Sequence, residues 1–229
     1  MKFQIDEKRF IEAPFGPILY VTFMQERVLK IFKDTVDTIK KDKNKKDKAA
    51  NHKLVGAIEE EYSLREYLTG EDGHFVLTEL VKECAEFHNW NLKSDRHLSM
   101  SFIPGREMPH TDFKLHDIWI NFQKKHDYNP KHNHFGHYSM TGYINIPYSI
   151  QAEYNTERQV GTEKTAGCIS FDHGSDTYAP TNRTIVPEEG KMIFFPSGLR
   201  HQVFPFYTSD DLRISFSANF VVKSELMNT

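Results

Sequence analysis

The stretch Leu212–Val222 reads LRISFSANFVV, a pattern typical of a buried β-strand with polar groups on one face. Residues i and i+2 of a strand share a face, so Arg213 and Ser215 should point at the same place. Burying an arginine without a partner is costly, so we expect an anion against it. A guanidinium matches a carboxylate as a planar fork, and a serine hydroxyl adds a further donor. The anion is either a small bound molecule or a carboxylate of the protein.

The rest of the C-terminal half has the same character. Short stretches rich in β-branched and aromatic residues, separated by turns, are typical of a barrel or jelly roll. The predicted strands are Ile118–Gln123, Tyr138–Ile146, Gly167–Phe171, Met192–Phe195, Gln202–Phe206 and the opening stretch Leu212–Val222.

The N-terminal part has helical periodicity instead. Apolar residues recur at helical spacing on residues 25–40 and again from Leu77 to Phe87. We therefore predict one α+β domain over residues 1–229, with a helical part at 1–95 and a strand-rich core at 96–229.

Composition excludes several classes of protein. The net charge of −3 among 229 residues argues against a nucleic-acid partner bound through bulk charge. Two cysteines are too few for a disulfide framework and indicate a reducing compartment. The N-terminus lacks an apolar signal segment, and no apolar run is long enough to span a membrane, so we expect a cytoplasmic location. The pattern leaves the oligomeric state open.

The histidines are the candidate metal ligands. His132, His134 and His137 lie within six positions just before a predicted strand, and His201 follows a Pro/Gly turn at the end of another. Neutral imidazoles bind divalent transition metals such as iron(II). We expect His132, His134 and His201 to be the ligands, with His137 or Asp172 as substitutes for the third.

Two further stretches allow two readings each. Residues 40–48, KKDKNKKDK, are either a polyanion-binding segment or a solvated loop, and the latter is favoured because aspartates interrupt the run. Residues 151–164, QAEYNTERQVGTEK, lie beyond the histidine motif and are either an active-site lid or a surface loop.

In combination, these motifs resemble the iron(II)- and 2-oxoglutarate-dependent oxygenases. That superfamily carries His-x-Asp/Glu, a distal histidine and a basic residue on the last core strand, often as Arg-x-Ser. His132, His201 and Arg213 with Ser215 match these positions, over about residues 115–222. The segments NPKHNH at 129–134 and FPSGLRH at 195–201 look most like the phage-type and prolyl-hydroxylase-like branches.

The resemblance implies a double-stranded β-helix (jelly-roll or cupin-like) core with the N-terminal helices packed on one sheet. It implies iron(II), 2-oxoglutarate as cosubstrate, and O2. Arg213 and Ser215 would bind the far carboxylate of 2-oxoglutarate with Tyr143, and Asn121 or Gln123 would reach its C1 carboxylate. One departure stands out, because His134 occupies the position of the carboxylate ligand and gives a three-histidine site.

The primary substrate is predicted less closely. The prolyl-hydroxylase-like resemblance suggests a protein or peptide side chain such as proline, and a small molecule is the other class. Two other functions remain open: a cupin-like three-histidine dioxygenase that does not use 2-oxoglutarate, and a non-catalytic jelly-roll binding or structural protein.

Overall fold

A computed structural model describes residues 2–12, 17–50, 56–93, 106–158, 161–174 and 181–223. The predicted boundary between residues 95 and 96 lies outside these ranges. The helices are α1 (Glu26–Lys41), α2 (Gly70–Lys93) and α3 (Ile150–Tyr154). The strands are β1 (Lys2–Gln4), β2 (Phe10–Glu12), β3 (Leu19–Phe23), β4 (Glu60–Ser63), β5 (Phe113–Gln123), β6 (Asn129–His132), β7 (Tyr138–Asn145), β8 (Ile169–Asp172), β9 (Asn182–Ile185), β10 (Lys191–Pro196), β11 (Arg200–Val203) and β12 (Arg213–Val222).

The strands form two antiparallel sheets. The major sheet has the order β1-β2-β3-β10-β7-β12-β5-β4, and the minor sheet has the order β6-β11-β8-β9. From β7 onward the chain passes back and forth between the sheets, with β7, β10 and β12 in the major one and β8, β9 and β11 in the minor one. This is the double-stranded β-helix arrangement, so the predicted α+β fold class is confirmed.

Both long helices pack on one face of the major sheet. On α1, Val28, Phe32, Val36 and Ile39 are buried, as their helical spacing predicts. The Phe32 ring stacks on Phe216 of β12 with a centroid distance of 4.1 Å. This layer covers the outer face of the major sheet and leaves its inner face to the minor sheet.

A second apolar cluster fills the space between the two sheets. Tyr143 and Ile193 of the major sheet pack there with Ile169 and Phe171 of the minor sheet. Strand alternation therefore sends neighbouring residues of β7 to different places, with Ile144 facing the helices and Tyr143 facing the minor sheet. The inner face is where the polar residues predicted for the site converge.

The N-terminal part differs from the prediction of helices alone, because β1 to β4 lie within it and join the major sheet. β3 (Leu19–Phe23) is buried at four of its five residues, so it lacks the alternation that identifies a half-exposed strand. The strand predicted at Gln202–Phe206 begins earlier, at Arg200.

The two ambiguous stretches are packed in part. Lys45 forms an ion pair with Glu60 at 2.8 Å, and Lys48 forms one with Asp42 at 3.0 Å, so the lysine-rich stretch lies against the edge of the sheet. The segment 151–164 begins within α3, where the fully buried Glu153 accepts hydrogen bonds from the backbone N–H groups of Tyr207 and Thr208. Among the described helices, none is long and apolar enough to cross a membrane.

Candidate active site

Three histidines converge at the mouth of the β-helix. His132 on β6 and His201 on β11 are cross-strand partners in the minor sheet. His134 follows β6, and its backbone N–H donates to the carbonyl of Ser197 at 2.9 Å, which fixes the turn beside β11. One ring nitrogen from each of the three histidines lies within 4.8 Å of the other two. This separation suits a shared metal ion.

Local hydrogen bonds set the protonation of two of these rings. The Nδ1 atom of His132 lies 2.7 Å from the carbonyl oxygen of Pro130, and the Nδ1 atom of His201 lies 3.1 Å from that of Leu199. A carbonyl only accepts, so both Nδ1 atoms carry the proton and both Nε2 atoms keep a free lone pair.

Burial keeps all three rings neutral, as metal ligands must be. It lowers the pKa of His132, lowers that of His134 to about 4 with a contribution from His132, and lowers that of His201 well below the usual value. The Nε2 atoms of His134 and His201 are 3.2 Å apart. Two nitrogens each about 2.1 Å from one ion and at right angles would be separated by about 3.0 Å. The three rings therefore fit a transition metal.

The two substitute ligands lie elsewhere. His137 accepts a hydrogen bond at Nδ1 from the backbone N–H of Val222 at 3.0 Å, which ties it to the end of β12. Asp172 pairs with Lys131 at 3.3 Å. Its neighbour Phe171 faces His201, with ring centroids 5.8 Å apart, so alternation turns Asp172 to the opposite face of β8. Neither residue joins the three-histidine group.

Arg213 lies on the inner face of the major sheet and is only 2% exposed. Its Nη1 atom donates to the Tyr148 hydroxyl at 3.0 Å and to the Gly167 carbonyl at 2.9 Å, and its Nη2 atom donates to Gln123. Among the described residues its Nε atom is buried without a hydrogen-bond partner. No carboxylate of these residues forms an ion pair with it, so its hydrogen-bond partners there are all neutral.

A row of polar residues crosses the major sheet beside Arg213. Strand register aligns Glu61 of β4 with Asn121 of β5, Asn121 with Ser215 of β12, and Ser215 with Tyr143 of β7. We call these four residues the transverse row. Asn121 Nδ2 donates to Ser215 Oγ at 3.3 Å, which leaves the serine hydroxyl proton free for another acceptor. Burial raises the pKa of Tyr143, so its phenol also remains a donor.

One cavity joins these groups. Its lining includes the three histidines, Arg213 and the whole transverse row, and its volume is about 70 Å³. One water needs about 10–15 Å³ of such space, so the cavity admits a small polar molecule. A dicarboxylate fits its chemistry, because the cavity holds a guanidinium without an ion-pair partner among the described residues together with three neutral metal ligands.

Two residues of the candidate site carry no signal in the sequence. Tyr148 does not line the cavity but hydrogen-bonds to Arg213 from 65 positions away along the chain. Gln123 was predicted as an alternative contact to the cosubstrate, and here it binds the guanidinium. Glu61 is not predicted from the sequence, because the Glu-Glu-Tyr stretch at residues 60–62 has no recognisable spacing to the histidine motif or to Arg213.

Comparisons with known proteins agree with this geometry. Residues 117–219 match the family model of the 2OG-Fe(II) oxygenases, where 2OG is 2-oxoglutarate. No curated protein matches the chain. The matched range covers the predicted ligands and Arg213. A match to a family that uses 2-oxoglutarate favours the oxygenase hypothesis over a three-histidine dioxygenase without 2-oxoglutarate and over a non-catalytic protein.

Solved structures share the fold. A prolyl-4-hydroxylase from Pseudomonas putida has a TM-score of 0.51 and 13% identity, covering 91% of this chain and 94% of its own. The 2-oxoglutarate-dependent epimerase SnoN from nogalamycin biosynthesis has a TM-score of 0.54 and 10% identity, covering 91% of this chain and 77% of its own. SnoN has also been solved with Fe3+ and 2-oxoglutarate; that structure has a TM-score of 0.51 and 9% identity, covering 91% of this chain and 80% of its own. Residues 117–219 thus match the 2OG-Fe(II) oxygenases, which act with iron(II), 2-oxoglutarate and O2, and the described fold is shared with solved members of that group.

Proposed function

We propose that this protein hydroxylates a peptide side chain such as proline, with His132, His134 and His201 as iron ligands and Arg213 as the anchor of 2-oxoglutarate. The observation that carries the residue assignment is the buried guanidinium of Arg213, which lacks an anionic partner within the described residues and shares one cavity with the three histidines. Bound iron(II) with 2-oxoglutarate would supply the activation of O2 and the oxidising power.

The protein's own part is to bind and orient these groups. The free Nε2 lone pairs of His132 and His201 are held toward one point by the Nδ1 hydrogen bonds to backbone carbonyls. Three neutral ligands leave the full charge of the ion uncompensated, whereas a family member with Asp or Glu at the position of His134 compensates part of it. Anionic 2-oxoglutarate would then supply the missing negative charge.

The surroundings of Arg213 favour the binding of a carboxylate. Arg213 is held in place by Tyr148, Gly167 and Gln123, which use three of its five N–H donors and leave the Nε donor and one Nη2 donor for a ligand. Ser215 and Tyr143 add hydroxyl donors from the transverse row. We propose Asn121 for the C1 carboxylate, because its Nδ2 group has a second proton besides the one that it donates to Ser215 Oγ.

A second cavity of about 240 Å³ supports a side chain as the primary substrate. It shares Trp119, Asn133 and His134 with the inner cavity, so it opens directly beside the proposed metal site. Phe135 lines it and is 75% exposed, so its ring is accessible to an apolar group of a substrate. An apolar side chain such as proline can pack there while its backbone stays outside.

The anchor is tested by titrating 2-oxoglutarate into iron(II)-loaded protein without O2 and following the absorption band of the chelate. Removing one partner of a buried charge pair costs about 3–5 kcal/mol, so Arg213→Ala should weaken binding by about two to four decades. Arg213→Lys should fall between, because an ammonium lacks the fork. The matched control is Arg200→Ala, since Arg200 is exposed on β11. Parent-like affinity in Arg213→Ala would refute the anchor.

The substrate class is tested separately. Short proline-containing peptides should accelerate 2-oxoglutarate consumption and gain one oxygen atom by mass spectrometry, while the same peptides with alanine in place of proline should not. Phe135→Ala should raise the KM for the peptide and leave 2-oxoglutarate binding unchanged. If proline and alanine peptides behave alike, proline is not the target.

A further inference from the structure

Glu61 is a buried carboxyl group that neither the proposed metal site nor the 2-oxoglutarate anchor uses. It lies on β4, the outermost strand at its end of the major sheet, and it lines the inner cavity beside Asn121. The residue is 4% exposed, and among the described residues its Oε1 atom is buried without a hydrogen-bond partner. Native proteins rarely leave such an oxygen unsatisfied, which makes it available to a bound molecule.

The partner must donate hydrogen bonds. In its ionised form the Glu61 carboxylate accepts only, and Asn129 Oδ1, which also lines the cavity, is a second buried acceptor without a partner among the described residues. At neutral pH 2-oxoglutarate carries acceptors and no donors, so it cannot satisfy them. Arg213 has donors, but among the described residues it hydrogen-bonds only to neutral groups, and two strand spacings separate its strand β12 from β4. We therefore expect the hydrogen-bond donor for these two oxygens to come from the primary substrate.

We propose that Glu61 is a specificity-determining residue that binds a cationic nitrogen of the primary substrate, a primary amine or a guanidine. This inference rests on the proposed function and deepens it by naming, within the class of peptide side chains, the cationic side chains of lysine and arginine in place of proline. A carboxylate in a low-dielectric cavity attracts such a group strongly, and a charge-assisted hydrogen bond adds direction. The neighbouring Glu60 offers no alternative, because its side chain is already paired with Lys45 and Tyr62.

The experiment measures peptide binding by calorimetry in protein loaded with iron(II) and 2-oxoglutarate without O2. The probes are acetylated Gly-X-Gly amides in which X is lysine, arginine, norleucine or proline; norleucine matches the lysine chain but has no nitrogen. In the parent, the lysine or arginine peptide should bind about tenfold tighter or more than the norleucine peptide. Glu61→Gln should abolish this preference, and the matched control Glu60→Gln should keep it.

Equal or undetectable binding of all four peptides by the parent would overturn the inference, as would a preference that survives in Glu61→Gln. The comparison of lysine with norleucine in the parent needs no variant, so it decides even where a variant folds poorly. The chelate band of iron(II) with 2-oxoglutarate is recorded first. Its absence would reject the proposed metal and cosubstrate site, whereas its presence with no amine preference would reject only the role of Glu61.

Discussion

Replacing Glu61 by glutamine should change how the free energy of unfolding depends on pH, because Glu61 is a buried carboxyl group. Burial raises the pKa of Glu61 from 4.5 to about 7. A carboxyl group with a raised folded-state pKa contributes stability that is present below pH 4.5 and is lost as the pH rises through about 7. Each pKa unit corresponds to about 1.36 kcal/mol, so the loss reaches up to about 3 kcal/mol at pH 8. Glutamine cannot ionise and escapes this loss.

The assay is urea unfolding of metal-free protein at pH 4.5 and pH 8. The free energy of unfolding of Glu61→Gln minus that of the parent should rise by up to about 3 kcal/mol between the two pH values. Glu60→Gln is a control with the opposite sign. The ion pair with Lys45 lowers the pKa of Glu60, so its contribution is present above the unfolded pKa and lost as the pH falls. Parallel pH profiles for the parent and Glu61→Gln would show that Glu61 is solvated and would refute the reasoning.

Three other predictions concern the site and the core. His201→Ala should abolish tight iron(II) binding, and His134→Asp should retain it, as elemental analysis would show; full occupancy in His201→Ala contradicts the ligand assignment. Ser215→Ala removes one hydrogen bond to a charged group and should weaken 2-oxoglutarate binding by about 1.5–3 kcal/mol in calorimetry, less than Arg213→Ala, and an equal loss in both would reject that ordering. Gly142→Ala should destabilise the fold by about 1–3 kcal/mol in urea unfolding, because the new Cβ would lie 2.4 Å from the Phe216 ring; an unchanged midpoint would mean that the ring can move.

Residue patterns predicted the parts of the fold that present one buried face. The helix expected at residues 25–40 is α1, and β5, β7, β10 and β12 appear close to their predicted positions. The shorter strands escaped prediction for physical reasons. β6 reads NPKH, in which a proline argues against a strand, yet it pairs at the edge of the minor sheet, where a missing N–H is tolerated.

The residues of the candidate site also fall into two groups, those that a motif predicts and those that no local pattern predicts. His132, His134, His201 and Arg213 were predicted because their spacing matches a motif, and the structure brings them to one cavity. Tyr148 and Glu61 have no such signal, because Tyr148 contacts Arg213 and Glu61 joins the cavity only through the tertiary packing of segments far apart in the sequence. Contacts of this kind are set by tertiary structure, and a single sequence does not encode them in any local pattern.

The pairing of β6 has a consequence for how the protein opens. β6 is the outermost strand of the minor sheet at its end, its register with β11 is irregular, and only two residue pairs align, one of which joins His132 to His201. An ion bound between these two rings would link β6 to β11, which are otherwise joined by few backbone hydrogen bonds. Amide protons of β6 should therefore exchange with solvent rapidly in the metal-free protein and slowly once metal is added, while those of the central strand β12 exchange slowly in both states. Metal binding would then stabilise the edge strand β6 in addition to its role in the reaction.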